Sequence, residues 1–212
     1  NIIDGTNEAD VFSQEFRLSG TSLDGDLFWV SGLYLIDEDV SFGFDRSGET
    51  IITPPTRQSL RQTSDSRGYG IFAEGAWTVT PPLTLTLGAR YSRDEKSFSI
   101  FYQATGAFAP FFVDDPSMPV AATASDSWET PTYRASVEYQ WTDDISTYFT
   151  YSRGYKSGGF NSEPANLVAA TTTFDEEILD NFEAGLRSRL FSNRLILNLA
   201  AFDRHYEDNQ TG

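Results

Sequence analysis

Side chains able to do catalytic or metal chemistry are few and scattered in this chain. His205 is the only histidine and cysteine is absent, so neither a multi-histidine centre nor a thiolate site can form within it. Serine is plentiful, but a serine nucleophile needs a histidine base oriented by a carboxylate, and no such constellation emerges around the single His205. Gly158-Gly159 is followed by Phe160-Asn161 and not by Lys-Ser/Thr opening a helix, so it is no phosphate loop. Enzyme chemistry therefore has little support, and no metal or organic cofactor is called for. What recurs instead is charge and aromaticity. Glu74, Arg90, Arg134, Glu138, Glu183, Arg187 and Arg189 fall at polar positions of alternating segments, while Phe101, Tyr102, Phe108, Phe111 and Phe112 crowd one stretch. The charges suit either a polar lining or simple cross-strand pairing. The aromatics suit stacking on a flat ligand, or packing among loops and strand ends.

These residues need strands to position them. Helical periodicity is scarce, whereas period-two alternation recurs along the chain. Leu83, Leu85, Leu87, Ala89 and Tyr91 alternate with Thr84, Thr86, Gly88, Arg90 and Ser92. Tyr133 to Trp141, Tyr69 to Val79 and Phe182 to Leu190 repeat the pattern, with Glu74, Arg134, Glu138, Glu183, Arg187 and Arg189 on the polar side. Eight strands are expected, near 10–19, 26–39, 66–79, 83–97, 128–141, 145–156, 176–190 and 194–208. The registers of the second and eighth stay open, because the second is apolar on both faces.

A soluble sheet with one wet face and a barrel in lipid both produce such strands. Aromatic spacing favours the barrel: Tyr69 and Trp77 lie eight residues apart, as do Tyr133 and Trp141. Eight residues at about 3.3 Å each, tilted about 40°, rise roughly 20 Å, close to the ~25 Å apolar band between aromatic girdles. Connections also alternate in length. Short ones fall at 21–25, 80–82, 142–144 and 192–193; long loops are expected near 40–64, 97–127 and 157–174. Short turns on one rim and long loops on the other characterise outer-membrane barrels. A mean hydropathy of −0.36 beside 15% aromatics fits apolar residues confined to one face. The net charge of −16 argues against a nucleic-acid partner. Asp37-Glu38-Asp39 would sit at the outer rim, either solvated or engaging cations that bridge lipopolysaccharide.

Several segments resemble the barrel domain of TonB-dependent outer-membrane receptors. They are Phe12-Ser13-Gln14-Glu15-Phe16-Arg17-Leu18, Leu85 to Lys96 (with Gly88-Ala89-Arg90-Tyr91), Tyr151 to Asn161, and Phe174 to Glu177 leading into Asn181 to Arg187. The resemblance implies an all-β antiparallel transmembrane barrel of about 22 strands enclosing a plug, of which residues 1–212 are a partial wall without signal peptide, plug or last strands. It implies import of a scarce nutrient, a ferric siderophore foremost, driven by the proton-motive force through TonB. It also implies outer-membrane lipid and lipopolysaccharide as surroundings. A passive porin, or a structural or adhesive barrel, is the alternative.

Overall fold

The computed structural model describes residues 2–48, 56–105, 120–161 and 167–210. Its main element is one antiparallel sheet built from neighbours in sequence. The strands are β1 (Ile2–Ser22), β2 (Leu27–Gly48), β3 (Thr56–Thr80), β4 (Leu83–Thr105), β5 (Val120–Thr142), β6 (Ile145–Lys156), β9 (Glu177–Leu190) and β10 (Leu195–Glu207). They follow the order β1-β2-β3-β4-β5-β6-β9-β10. Between β6 and β9 lie the small paired strands β7 (Gly159–Phe160) and β8 (Thr173–Phe174), with helix α1 (Leu167–Thr171) between them. The short rim is made of tight turns. Leu23, Asp24 and Gly25 adopt positive φ in the first, and Phe191, Ser192 and Asn193 do so in the last.

The strands run further than the sequence suggests. Segments expected as loops near 40–64 and 97–127 are largely strand: β2 continues to Gly48, β3 begins at Thr56, β4 continues to Thr105 and β5 begins at Val120. A tilted strand crosses the apolar layer in about 9–11 residues, and β3 has 25. More than half of it therefore stands clear of the membrane.

A change of phase marks the boundary. Within the membrane zone the register puts Leu33, Ile71, Tyr91 and Pro131 in one row, followed by Ala73, Ala89 and Tyr133, all on the outer face. That face leaves Phe16 67%, Ile71 58% and Leu87 65% exposed, as lipid-facing groups should be. Further up, the apolar residues move to the opposite face: Phe98, Ile100, Tyr102 and Ala104 on β4 are buried, on the same side as Arg90. Val40 and Phe42 on β2, Leu60 on β3 and Ala122 and Trp128 on β5 share that inner parity. From β1 to β5 the outer face is already polar at the row Asp10, Asp39, Asp65, Ser97 and Ser125, and the inner face turns apolar near it on β2, β4 and β5. Well below it the outer face is apolar and meets lipid, and the inner face is polar. Above it, water lies outside and protein covers the inner face at β4 and β5.

The two open registers are settled by the pairing. On β2, Leu27, Trp29, Leu33 and Leu35 face outward and Phe28, Val30, Tyr34 and Ile36 inward. On β10, Leu195, Leu197 and Leu199 face outward, whereas Ile196 and Phe202 face inward beside Arg189 and Glu183. At the upper edge of the outer face, Tyr69, Tyr91 and Tyr151 each have an arginine two residues above them: Arg67, Arg93 and Arg153. These guanidiniums meet Asp37 at 3.3 Å, Glu95 at 2.9 Å and Asp180 at 3.7 Å. Such exposed pairs add little stability each, but together they mark the headgroup level.

Candidate functional site

The seven charged residues singled out from the sequence lie on one face. Glu74 stands across from Gly88, Arg90 from Phe72, Arg134 from Gly88 and Ser152, and Glu138 from Tyr148. Glu183 stands across from Thr150, Arg187 from Ser146 and Arg189 from Ile196. Their contacts form two clusters and a turn clamp. Arg134 reaches Glu74 at 3.9 Å. Arg187 binds Glu138 at 3.0 Å and lies over the Tyr148 ring at 4.4 Å, while the Tyr148 hydroxyl donates to Glu183 at 2.6 Å. Arg189 reaches Asp144 in the short turn at 3.5 Å.

Tyr148 joins the second cluster, and sequence reasoning missed it. Gly185, directly across the pair, makes room: a Cβ there would lie 2.3 Å from the Tyr148 ring. The ring therefore lies flat over a glycine, which an inward Tyr opposite an inward Gly could have signalled.

Above the membrane the inner face is covered by the β6–β9 connection. The Phe160 ring stacks on Phe98 at 5.8 Å and 17°, and meets Trp128 edge-on at 6.4 Å. Ala170 of α1 is fully buried in the same cluster with Ile100. The Lys96 ammonium donates to the Gly158 carbonyl at 2.7 Å and lies 5.7 Å from the Trp128 ring. Burial pulls the Lys96 pKa down, while Asp94 and Glu38 pull it up and Lys156 lowers it further. Gly158 is a close approach: a Cβ would sit 2.2 Å from the Phe174 carbonyl oxygen and 2.3 Å from Trp128 Nε1. The connection is thus a folded strap over an aromatic-lined vestibule.

The aromatics chosen from the sequence are distributed differently. Phe101 and Tyr102 belong to β4, not to a loop, and being adjacent they face opposite sides. Phe101 points outward and is 38% exposed; Tyr102 points inward, is 1% exposed and accepts a hydrogen bond from Gln58 at 3.4 Å. Phe108, Phe111 and Phe112 lie outside the described residues. Among the described residues, Phe98, Trp128, Phe160 and Phe174 build the aromatic contacts of the strap. The pleat also divides the acidic triplet: Asp37 and Asp39 face outward and Glu38 inward. Among the described residues no group of three or more His, Cys, Asp or Glu could hold a metal ion. His205 lies on the outer face, across from Asp180.

A sheet with an apolar outer face, a charged inner face and strands overrunning the membrane is one sector of a large outer-membrane barrel. The family model for the TonB dependent receptor-like β-barrel matches residues 3–212. The chain belongs to the TonB-dependent receptor β-barrel family. Members of this family are transporters of the Gram-negative outer membrane, not enzymes. The ferric yersiniabactin uptake receptor FyuA of Yersinia pestis is similar over 98% of this chain and 30% of its own, with a TM-score of 0.76 and 20% identity. The ferric-catecholate import receptor Fiu of E. coli K12 is similar over 98% and 32%, with a TM-score of 0.66 and 15% identity. The siderophore receptor PiuA of Acinetobacter baumannii gives 93% and 32%, with 0.65 and 19%. The TonB-dependent receptor chain described here thus spans about a third of the length of these solved receptors.

Proposed function

We propose that this chain is a sector of the wall of a receptor that imports a scarce nutrient, a ferric siderophore foremost, by TonB-coupled transport. A plug domain and a TonB-contacting segment lie outside residues 1–212 in this reading, and the charged inner face holds the plug. Lipid and lipopolysaccharide surround the outer face. The observation that supports an importer best is the vestibule. A strap seated on Phe98 and Trp128 covers part of the inner face above a wall of paired charges. An open passive pore has no use for such a cover. In this reading, Phe108, Phe111 and Phe112 join the vestibule aromatics in contacting the ligand.

The test is iron uptake in cells lacking the full receptor and in complemented cells. Complementation is expected to restore accumulation of a labelled ferric siderophore, and deletion of TonB to abolish it. Equal uptake with and without the receptor, across catecholate, hydroxamate and mixed-ligand chelates, rejects the iron reading. Uptake that persists without TonB would instead favour the passive pore.

A further inference from the structure

A concavity on the inner wall holds a positive charge without a counter-charge. It measures about 340 Å³ and is edged by Glu15, Arg17, Phe72, Glu74, Arg90 and Arg134. Arg17 pairs with Glu15 and Arg134 with Glu74. A fourth arginine at its edge, Arg153, pairs with Asp180, so one positive charge is left over in a chain whose net charge is −16. Arg90 carries it, with no carboxylate within 4 Å among the described residues.

The Arg90 side chain is nevertheless held. Its Nε donates to Ser92 Oγ at 2.9 Å, and its guanidinium carbon lies 5.3 Å from the Tyr34 ring centre and 6.0 Å from that of Phe72. It lies across Gly70, where a Cβ would come within 2.5 Å of Nη2. Aromatic rings fix the group while leaving its terminal N–H donors available for a two-pronged bond to an oxyanion. Arg134, across from Gly88, stands on the neighbouring diagonal. Its charge is met by Glu74, so Arg90 alone is left without a counter-charge there. Arg204 also lacks a carboxylate, but it is turned onto Phe202 and Asn181 on the edge strand and has no comparable cradle.

We infer that Arg90 is a prepared receptor for a carboxylate or similar oxyanion that enters from outside this wall. Resting on the importer reading, the anion has two sources: a carboxylate side chain of the plug, or an anionic chelate in transit. Arg90→Met and Arg90→Glu separate them in the full-length receptor at matched surface abundance. Met keeps the packing over Gly70 and removes the charge, which guards against a Glu variant that does not assemble.

Vancomycin sensitivity in cells without TonB reads the plug seal. Uptake of a trianionic ferric tris-catecholate beside a neutral ferric tris-hydroxamate reads the passing ligand. If the plug supplies the anion, both variants lower the inhibitory vancomycin concentration about tenfold, as loss of a charge-assisted hydrogen bond predicts. If the ligand supplies it, the seal holds and only tris-catecholate uptake falls, again about tenfold. An unchanged seal without selective loss of the anionic chelate overturns the inference. A parent receptor that imports neither chelate excludes these two as its cargo, and the seal measurement then decides the role of Arg90.

Discussion

Replacing Leu87 by arginine in the full receptor is expected to cost about 2–4 kcal/mol of folding stability. Leu87 lies four residues from both Tyr91 and Leu83 and is 65% exposed on the outer face. Its cross-strand neighbours there are Gly75 and Ala135, too small to shield a charge. A guanidinium at that depth either loses its hydration or drags water and headgroups down to meet it. Thr86→Arg, one residue away, faces Ala76 and Ser136 on the inner side and should cost no more than about 0.5 kcal/mol. Denaturant titration of the receptor refolded into phospholipid vesicles measures both. A larger cost at Thr86 than at Leu87 would mean that the two faces have been assigned the wrong way round.

The second large effect is at Gly158. No side chain fits between Phe174 and Trp128 at that point, so Gly158→Val should expel the strap and not merely strain it. Phe160 would leave Phe98 and Trp128, losing about 2 kcal/mol of burial and ring contact. That corresponds to roughly a thirtyfold rise in the open population. Ala170 reports it, because it belongs to the strap and is fully buried against Phe98 and Ile100 of the wall. In an Ala170→Cys background, labelling of intact cells by a membrane-impermeant maleimide should be slow with Gly158 and at least tenfold faster with Gly158→Val. Gly154→Ala is the control: its Cβ would meet Leu179 at an ordinary 3.7 Å, and labelling should not change. Equal protection in all three proteins would show that the strap does not seat through Gly158.

What could be read in advance followed from whether one solvent pattern held along a segment. From Leu83 to Tyr91, lipid on one side and water on the other produce strict alternation, so both the strand and the inward position of Arg90 were legible. From Ser97 to Thr105 the residues still alternate, but with Phe98, Ile100 and Tyr102 on the inner parity. A reading that assumed one phase treated this stretch as loop. The second strand hid its register for a related reason: Phe28, Val30 and Ile36 face inward despite being apolar. The Glu138–Arg187–Tyr148–Glu183 cluster depends on β6 lying beside β9, an adjacency that spans the strap. Similarly, Gly158 meets Trp128 across 30 positions of sequence, and no local spacing announces that contact.

The inverted stripe has a consequence for how the wall finds its alignment. A code with a period of two residues can detect a slip of one, which turns every side chain to the wrong face. It is blind to a slip of two, because the pattern then maps onto itself. The inversion, which falls near Asp39 on β2, Ser97 on β4 and Ser125 on β5, removes that ambiguity. Moved by two positions, a strand would still show the correct parity almost everywhere, yet its inversion point would no longer match its neighbour's. The error would then be confined to one level, where an acidic or serine side chain meets an apolar row. The row works as an index mark: alternation tells each strand which way to turn, and the mark tells it where to stop.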